Sequence, residues 1–173
     1  MANGIITVNT DAGWYPNEKI GSFAFWIKGD NLFLRGSGSF KDICSSSTDA
    51  ETKSIANAIH VLSKADLTGV RKIIFNRDNI HANPKHNGKE AQKKLHNQIQ
   101  YLKSKYGKNG DGIVLEVEFR HVRAHTKTKD ARSAVNRWCD EQCKMRLKER
   151  KELLKKTTFV KNNNDGIKSN DMG

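Results

Sequence analysis

A change in hydrophobic periodicity near residue 48 limits the folds open to this chain more than any other feature. Before it, three segments have the composition or the two-residue alternation of β-strands: 4–11, 20–28 and 31–40. In the second of them, Phe23, Phe25 and Ile27 occupy alternate positions. The short Gly29-Asp30-Asn31 connection is typical of a hairpin turn, so the three segments predict an antiparallel meander.

Behind residue 48, helical spacing alternates with short apolar runs. Helices are predicted over about 48–66, 89–106 and 134–156, and strands over 71–77 and 113–122. A strand reached through a helix joins its sheet in parallel by a right-handed crossover. The order βββαβαβα therefore predicts a five-stranded mixed sheet with helices packed on it, an α/β fold of the α+β kind. Gly36 and Gly38 interrupt the third segment and predict a bend or bulge there.

The length of 173 residues suits one domain, which we place at 1–156. Residues 157–173 form a polar segment rich in Asn, Asp, Gly and Lys, and their composition predicts a disordered C-terminal tail. No apolar run approaches the roughly 20 residues of a membrane-spanning helix, and the N-terminus lacks the pattern of a secretion signal. Three cysteines, Cys44, Cys139 and Cys143, are expected to be free thiols in a reducing cytoplasm. A cytoplasmic monomer without a membrane partner is expected.

Charge indicates the class of partner. Lys and Arg number 31 against 19 Asp and Glu, which gives a formal net charge of +12. Such an excess favours a polyanion, nucleic acid first and an anionic membrane second. The lysines of the second helix and the basic residues of the last helix are too numerous to be offset by the neighbouring glutamates, so phosphate contacts are expected of them.

Four acids are candidates for a metal site. Asp11 and Asp78 close the first and fourth predicted strands, whose carboxyl ends meet at one edge of the sheet if the strands are neighbours. Glu51 lies in the first turn of the first helix and Asp140 lies inside the last. Four converging carboxylates need a counter-charge, and two Mg²⁺ ions supply it where phosphates are cleaved.

Each acid also has a structural interpretation. Glu51 would complete a capping box with Thr48 at the N-cap, and Asp11 would be a turn residue. Asp78 would cap a helix, and Asp140 would be one more solvated helical charge. The order and setting of the four acids favour the metal site over these separate explanations.

Five motifs, in this order, resemble those of the type 1 ribonucleases H over about residues 4–148. They are Thr10-Asp11-Ala12-Gly13, Ser47-Thr48-Asp49-Ala50-Glu51, Ile73 to Asn79, Phe119 to His125, and Asn136-Arg137-Trp138-Cys139-Asp140. The resemblance implies a ribonuclease H-like fold and an endonuclease that hydrolyses the RNA strand of RNA–DNA hybrids by a two-metal-ion mechanism. It implies two Mg²⁺ ions, with Mn²⁺ as an alternative. Asp11, Glu51, Asp78 and Asp140 would be the catalytic metal ligands, and His125 would assist proton transfer or product release.

The same resemblance indicates which residues would contact the hybrid. Ser47 and Thr48 stand where the family usually has two Asn that read the minor groove, and Arg137 replaces an acidic residue. The candidate nucleic-acid-binding residues are Ser47, Thr48, Lys89, Lys93, Lys94, Arg123 and Lys127. Two alternatives stay open: a catalytically weak or inactive module that binds hybrid or double-stranded nucleic acid, and another nuclease of this fold, such as a resolvase or integrase-like enzyme.

Overall fold

The structure is a computed structural model that describes residues 3–106, 114–122 and 131–170, with only the backbone described for 131–133 and 159–170. Five strands and three helices follow the predicted order. Their bounds are β1 Ile5–Tyr15, β2 Ile20–Lys28, β3 Phe33–Ser39, α1 Ser47–Ser63, β4 Lys72–Arg77, α2 Glu90–Tyr106, β5 Glu116–His121 and α3 Ala131–Asn170. No helix in the described ranges is both long and apolar enough to cross a bilayer.

The five strands form one mixed sheet in the order β3-β2-β1-β4-β5. β1, β2 and β3 pair antiparallel, as the predicted meander requires. β4 joins β1 in parallel and β5 joins β4 in parallel, each through a helix. The predicted mixed α+β sheet is therefore confirmed. This topology directs the carboxyl ends of β1, β4 and β5 to the same edge of the sheet.

Helices cover both faces of the sheet, because neighbouring residues of a strand point to opposite sides. Phe25 and Ile27 of β2 belong to the main core, which also contains Ile55 and Ile59 of α1. The intervening residue Ala24 packs on the other face, against cysteines of α3. The predicted inward residues of α2 are also buried: Leu95, Ile99 and Leu102.

Two predictions of strand detail are wrong. β1 does not end at Asp11 but continues to Tyr15, because its last residues pair with β2 alone. β3 contains no bulge in its pairing with β2. Gly36 and Gly38 are explained by close approach instead, since a Cβ atom there would lie 2.7 Å from the ring of Phe25 and 2.9 Å from the ring of Phe23, respectively.

The last helix is longer than its predicted range of 134–156. The backbone of α3 stays helical to Asn170, through most of the segment that composition assigns to a tail. Helical hydrogen bonds are local, so a polar segment can continue a helix without a core to pack on. The boundary of the folded domain at residue 156 stays a prediction.

Candidate active site

Three carboxyl groups converge at the edge of the sheet where β1 and β4 part. Asp11 lies two residues beyond Asn9, the last β1 residue that pairs with β4, and Asp78 directly follows β4. Glu51 projects toward them from the N-terminal part of α1. One carboxylate oxygen from each of Asp11, Glu51 and Asp78 lies within 4.8 Å of the other two. The structure therefore brings together three of the four predicted acids.

Glu51 is available to this cluster because it does not cap its helix, contrary to the capping-box interpretation. The N-cap is Ser46, whose hydroxyl accepts a hydrogen bond from Asp49 N at 3.0 Å. The Asp49 carboxylate in turn accepts from Ser45 N at 3.0 Å. The capping pair is thus shifted two residues toward the N-terminus, and Thr48 lies inside the helix.

The three carboxyl groups lie close enough to oppose one another's ionisation. Burial, followed by the charge of Asp78, raises the pKa of Asp11 to about 7, although the Ala12 N–H that donates to Asp11 Oδ1 at 2.9 Å works against the shift. Burial and the charges of Asp78 and Asp11 raise the pKa of Glu51 well above its usual range. Among the described residues, the causes of these two shifts include no basic side chain.

The donor set fits a hard divalent cation. Glu51 is 6% exposed, and its Oε2 atom is buried with no hydrogen-bond partner among the described residues. A buried carboxylate oxygen without a partner is costly unless a proton or a cation compensates it. Oxygen ligands from carboxylates are those that Mg²⁺ and Mn²⁺ prefer. Asp11, Glu51 and Asp78 are the residues that could hold such an ion.

Asp140 lies beside this cluster, outside the group of three. Its charge contributes to the raised pKa of Asp11, so the two carboxylates are near one another. Its Oδ2 atom accepts from Lys144 Nζ at 2.7 Å in an ion pair whose side chains are 41% and 72% exposed. Cys139 and Cys143 of the same helix are free thiols, as expected, and each is 2% exposed.

The loop after β4 is held by two residues that were not among the predicted site residues. The Asn79 side-chain amide donates to Thr48 Oγ1 of α1 at 3.1 Å. His121 Nε2, at the end of β5, lies 2.9 Å from the carbonyl oxygen of Asp78. The parallel pairing of Arg77 with His121 is the signal that could have found this contact, because it aligns the ends of β4 and β5. Asp78 is thus fixed between α1 and β5.

The predicted nucleic-acid-binding residues occupy the same edge in part. Ser47 is exposed at the first position of α1. Three exposed lysines lie at the start of α2 or just before it: Lys89, Lys93 and Lys94. Lys93 and Lys94 line an open groove of about 610 Å³ between α1 and α2, together with Tyr101. Arg123, His125 and Lys127 lie outside the described residues.

Solved structures share this architecture. Ribonuclease H1 of the halophilic archaeon Halobacterium salinarum is similar with a TM-score of 0.54 and 13% identity, over 84% of this chain and 98% of that one. The N-terminal ribonuclease H domain of a Mycobacterium tuberculosis protein gives a TM-score of 0.55 and 11% identity, over 84% and 97%. LC11-RNase H1, solved in complex with an RNA/DNA hybrid, gives 0.52 and 15%, over 82% and 99%. The chain has a ribonuclease H fold.

The resemblance to type 1 ribonucleases H is thereby confirmed for the fold. No protein-family model matches the chain, and no curated protein sequence does so either. The likeness therefore lies in the sheet order, the helices and the length covered rather than in overall identity. Within the ribonuclease H fold of this chain, the three acids gather where β1 and β4 part.

Proposed function

We propose that this protein is a metal-dependent endoribonuclease that hydrolyses the RNA strand of RNA–DNA hybrids. The observation that carries the proposal is the carboxylate cluster of Asp11, Glu51 and Asp78, with the partnerless Oε2 atom of Glu51 buried in it. A surface that only binds phosphates gains nothing from clustered negative charge. A site that binds divalent cations requires it.

Asp11, Glu51, Asp78 and Asp140 are the proposed ligands of two Mg²⁺ ions, with Mn²⁺ as the alternative. Bound there, the ions would supply a water of lowered pKa and neutralise charge on the scissile phosphate. Asp140 is free to join the other three at little cost, because an exposed ion pair such as that with Lys144 contributes about 1 kcal/mol or less.

The remaining proposed roles belong to side chains around the cluster. Ser47 is exposed beside it and can donate a hydrogen bond to a sugar or a base edge. Recognition of the RNA strand would depend on its 2′-hydroxyl groups. His125 is proposed to assist proton transfer or product release, and Arg123 and Lys127 to contact phosphates. We further propose that the protein acts as a cytoplasmic monomer.

Support for a hybrid substrate comes from two directions. LC11-RNase H1 has been solved with an RNA/DNA hybrid, and this chain has the same fold over 82% of its length. The formal net charge of +12 suits a polyanionic substrate, and the exposed lysines of α2 begin at the edge that carries the carboxylates.

The proposal is tested with end-labelled substrates of one sequence: RNA–DNA hybrid, duplex RNA, duplex DNA and single-stranded RNA, each with Mg²⁺ or EDTA. We expect Mg²⁺-dependent cleavage of the RNA strand of the hybrid alone. Glu51→Gln and Asp78→Asn should abolish it. Glu116→Gln should not, because Glu116 is exposed at the start of β5, far from the cluster.

The same experiment separates the alternatives. Binding of hybrid without cleavage under any metal condition would favour the inactive binding module. Cleavage of DNA in preference to hybrid would favour another nuclease of this fold, such as a resolvase or integrase-like enzyme. Either result would refute the proposed activity.

A further inference from the structure

The helix α3 passes the carboxylate cluster and continues beyond it. Its direction is fixed by contacts with the sheet: Ser22 Oγ donates to the carbonyl of Cys143 at 2.7 Å, and Leu147 packs against Gly13. One turn further on, Lys151 Nζ lies 3.3 Å from a Glu18 carboxylate oxygen, past the end of β1. α3 therefore runs in the same direction as β1 and leaves the sheet at the edge that holds the site.

Four lysines of α3 follow Asp140 along one face of the helix. At 100° per residue, they fall within about 80° of the Asp140 position, on the β1 side of the helix. We call them the α3 basic stripe: Lys144, Lys148, Lys151 and Lys155. Arg146 and Arg150 point elsewhere, since Arg146 donates to Ser37 of β3.

Ion pairs compensate two of the four stripe lysines, Lys144 and Lys151, and the described residues include no ion pair of the other two, although Glu152 lies four residues after Lys148 and three before Lys155. Glu149 lies on another face of the helix, where it pairs with Arg146 at 3.2 Å. Within the described part of the chain, Lys148 and Lys155 are exposed and form no ion pair. Lys144 pairs with Asp140, beside the cluster.

We propose that the α3 basic stripe binds the phosphate backbone of a nucleic-acid strand where it leaves the carboxylate cluster. Lys155 lies eleven positions after Lys144, a helical distance of about 16 Å. A duplex strand carries a phosphate about every 3.4 Å along its axis, so the stripe spans roughly five nucleotides. This inference rests on the proposed function for the identity of the bound duplex, and it adds a contact surface that the active-site residues do not provide.

The test uses the full-length Asp11→Asn protein, so that hybrid is bound without being cleaved. The variant Lys148→Gln/Lys155→Gln removes two charges from the stripe. The matched control Lys28→Gln/Lys64→Gln removes two exposed charges at the opposite edge, where β2 and α1 end. Lys148→Arg/Lys155→Arg keeps the charge, and circular dichroism checks that each variant is folded.

Binding of a long hybrid is measured between 50 and 200 mM salt. Two lost phosphate contacts should reduce the slope of log K against log [salt] by about 1.8, so that the Gln pair loses roughly tenfold less affinity over this range than the parent. The control pair and the Arg pair should keep the parent slope. In the otherwise wild-type enzyme, the Gln pair should raise KM and leave kcat unchanged, because the stripe lies away from the reacting atoms.

Equal slopes for the stripe variant and the control pair would overturn the inference. If the stripe variant loses binding to anionic phospholipid vesicles while its affinity for hybrid equals that of the parent, the inference is overturned in favour of a membrane surface. A reduced slope for the stripe variant in a protein that cleaves no hybrid would support the stripe and refute the proposed activity.

Discussion

At the residue scale, the candidate site depends on the position of Asp11. Its strand continues past it, so the carboxylate is held by regular pairing with β2 on one side and has no β4 partner on the other. That gap is where Glu51 and Asp78 approach. A turn residue, the structural interpretation of Asp11, would not have this restraint.

Asp11→Asn should abolish cleavage of the hybrid while hybrid binding and fold are retained. The substitution keeps the size of the side chain but removes a negative charge that the charges of Asp78 and Asp140 repel. Cleavage assays at saturating Mg²⁺ and binding assays test this, with Asp30→Asn in the β2–β3 turn as the control. Turnover close to that of the wild type in Asp11→Asn would show that the active site is elsewhere.

Without metal, the stability of the folded protein should fall as the pH rises from about 4 to about 7. The folded protein holds a proton on Asp11 up to about pH 7, whereas the unfolded chain loses it near 3.8. The folded state thus binds more protons in this window, and each such proton changes the free energy of unfolding by about 1.4 kcal/mol per pH unit.

Urea unfolding in EDTA across this pH range measures the effect. Asp11→Asn should flatten the slope, and saturating Mg²⁺ should raise stability most at the upper end of the window. Glu118→Gln is a contrasting variant, because hydrogen bonds from Arg120 and Lys72 lower the pKa of Glu118 to about 2. Glu118 therefore changes the slope of stability against pH only below about pH 4.5. Stability that rises between pH 4 and 7 in EDTA would contradict the prediction.

Residue type and order were enough to select Asp11, Glu51 and Asp78 from the sequence. The position of the N-cap was not predictable in the same way, because Ser45, Ser46, Ser47 and Thr48 can all cap a helix. One local and one tertiary contact favour Ser46 as the cap. The Asp49 carboxylate accepts a hydrogen bond from Ser45 N, and the Thr48 hydroxyl accepts one from the distant Asn79 side chain.

At the element scale, two hydroxyls at the start of α1 have different roles. The Ser46 hydroxyl caps the helix, and the Thr48 hydroxyl accepts a hydrogen bond from Asn79 in the loop after β4. Ser46→Ala should lower the free energy of unfolding by about 0.5–2 kcal/mol, because it removes the acceptor for Asp49 N. Thr48→Ala should cost less stability, since Thr48 is not the cap. Chemical denaturation of both variants tests the order, and a larger loss in Thr48→Ala would return the cap to Thr48.

The loop after β4 should control metal affinity through Asp78. His121→Ala and Asn79→Ala each remove a contact that fixes this loop, so the Mg²⁺ concentration for half-maximal cleavage should rise roughly 10–100-fold. Arg120→Gln is the matched control, because Arg120 is next to His121 but pairs with Glu118. The rate at saturating Mg²⁺ should largely recover; a loss of rate that excess Mg²⁺ does not restore would contradict a positioning role.

The strands show what local pattern can and cannot specify. The bounds predicted for β2 are the observed ones, because Phe23, Phe25 and Ile27 occupy alternate positions and therefore share the face that packs on the main core, and a turn ends the strand. The extra length of β1 depends on pairing with a distant segment, and the glycines of β3 depend on the rings of Phe23 and Phe25 above them. Such tertiary causes leave no periodic signal.

At the scale of the whole molecule, the carboxylate edge lies between two basic surfaces. One is the start of α2 with its preceding loop, which carries Lys89, Lys93 and Lys94, and the other is the α3 basic stripe. With the net charge of +12 distributed in this way, basic side chains on both sides of the carboxylates attract the phosphates of a nucleic acid. Affinity and choice of substrate should therefore depend on different residues.

Charge reversal at Lys89, Lys93 and Lys94 should reduce the salt dependence of hybrid binding without changing the preference for hybrid over duplex DNA. Substitution of Ser47 by Ala should reduce the preference for hybrid and leave the salt dependence unchanged, because the Ser47 hydroxyl can reach sugars or base edges. Binding of matched hybrid, duplex DNA and duplex RNA over a salt series separates the two. A salt dependence that does not change in the lysine variant would contradict the phosphate contacts proposed for α2.

The buried thiols of α3 make the helix a reporter on its own motion. Burial raises the pKa of Cys139 to about 12 and that of Cys143 further, so neither thiol ionises while α3 lies on the sheet. Alkylating reagents react with thiolates. In a Cys44→Ser background, the labelling rate therefore counts how often α3 lifts away from β2. Asp140 is adjacent to Cys139 in the chain. If a bound metal is coordinated by both Asp140 and the cluster, the rate of thiol labelling should therefore fall.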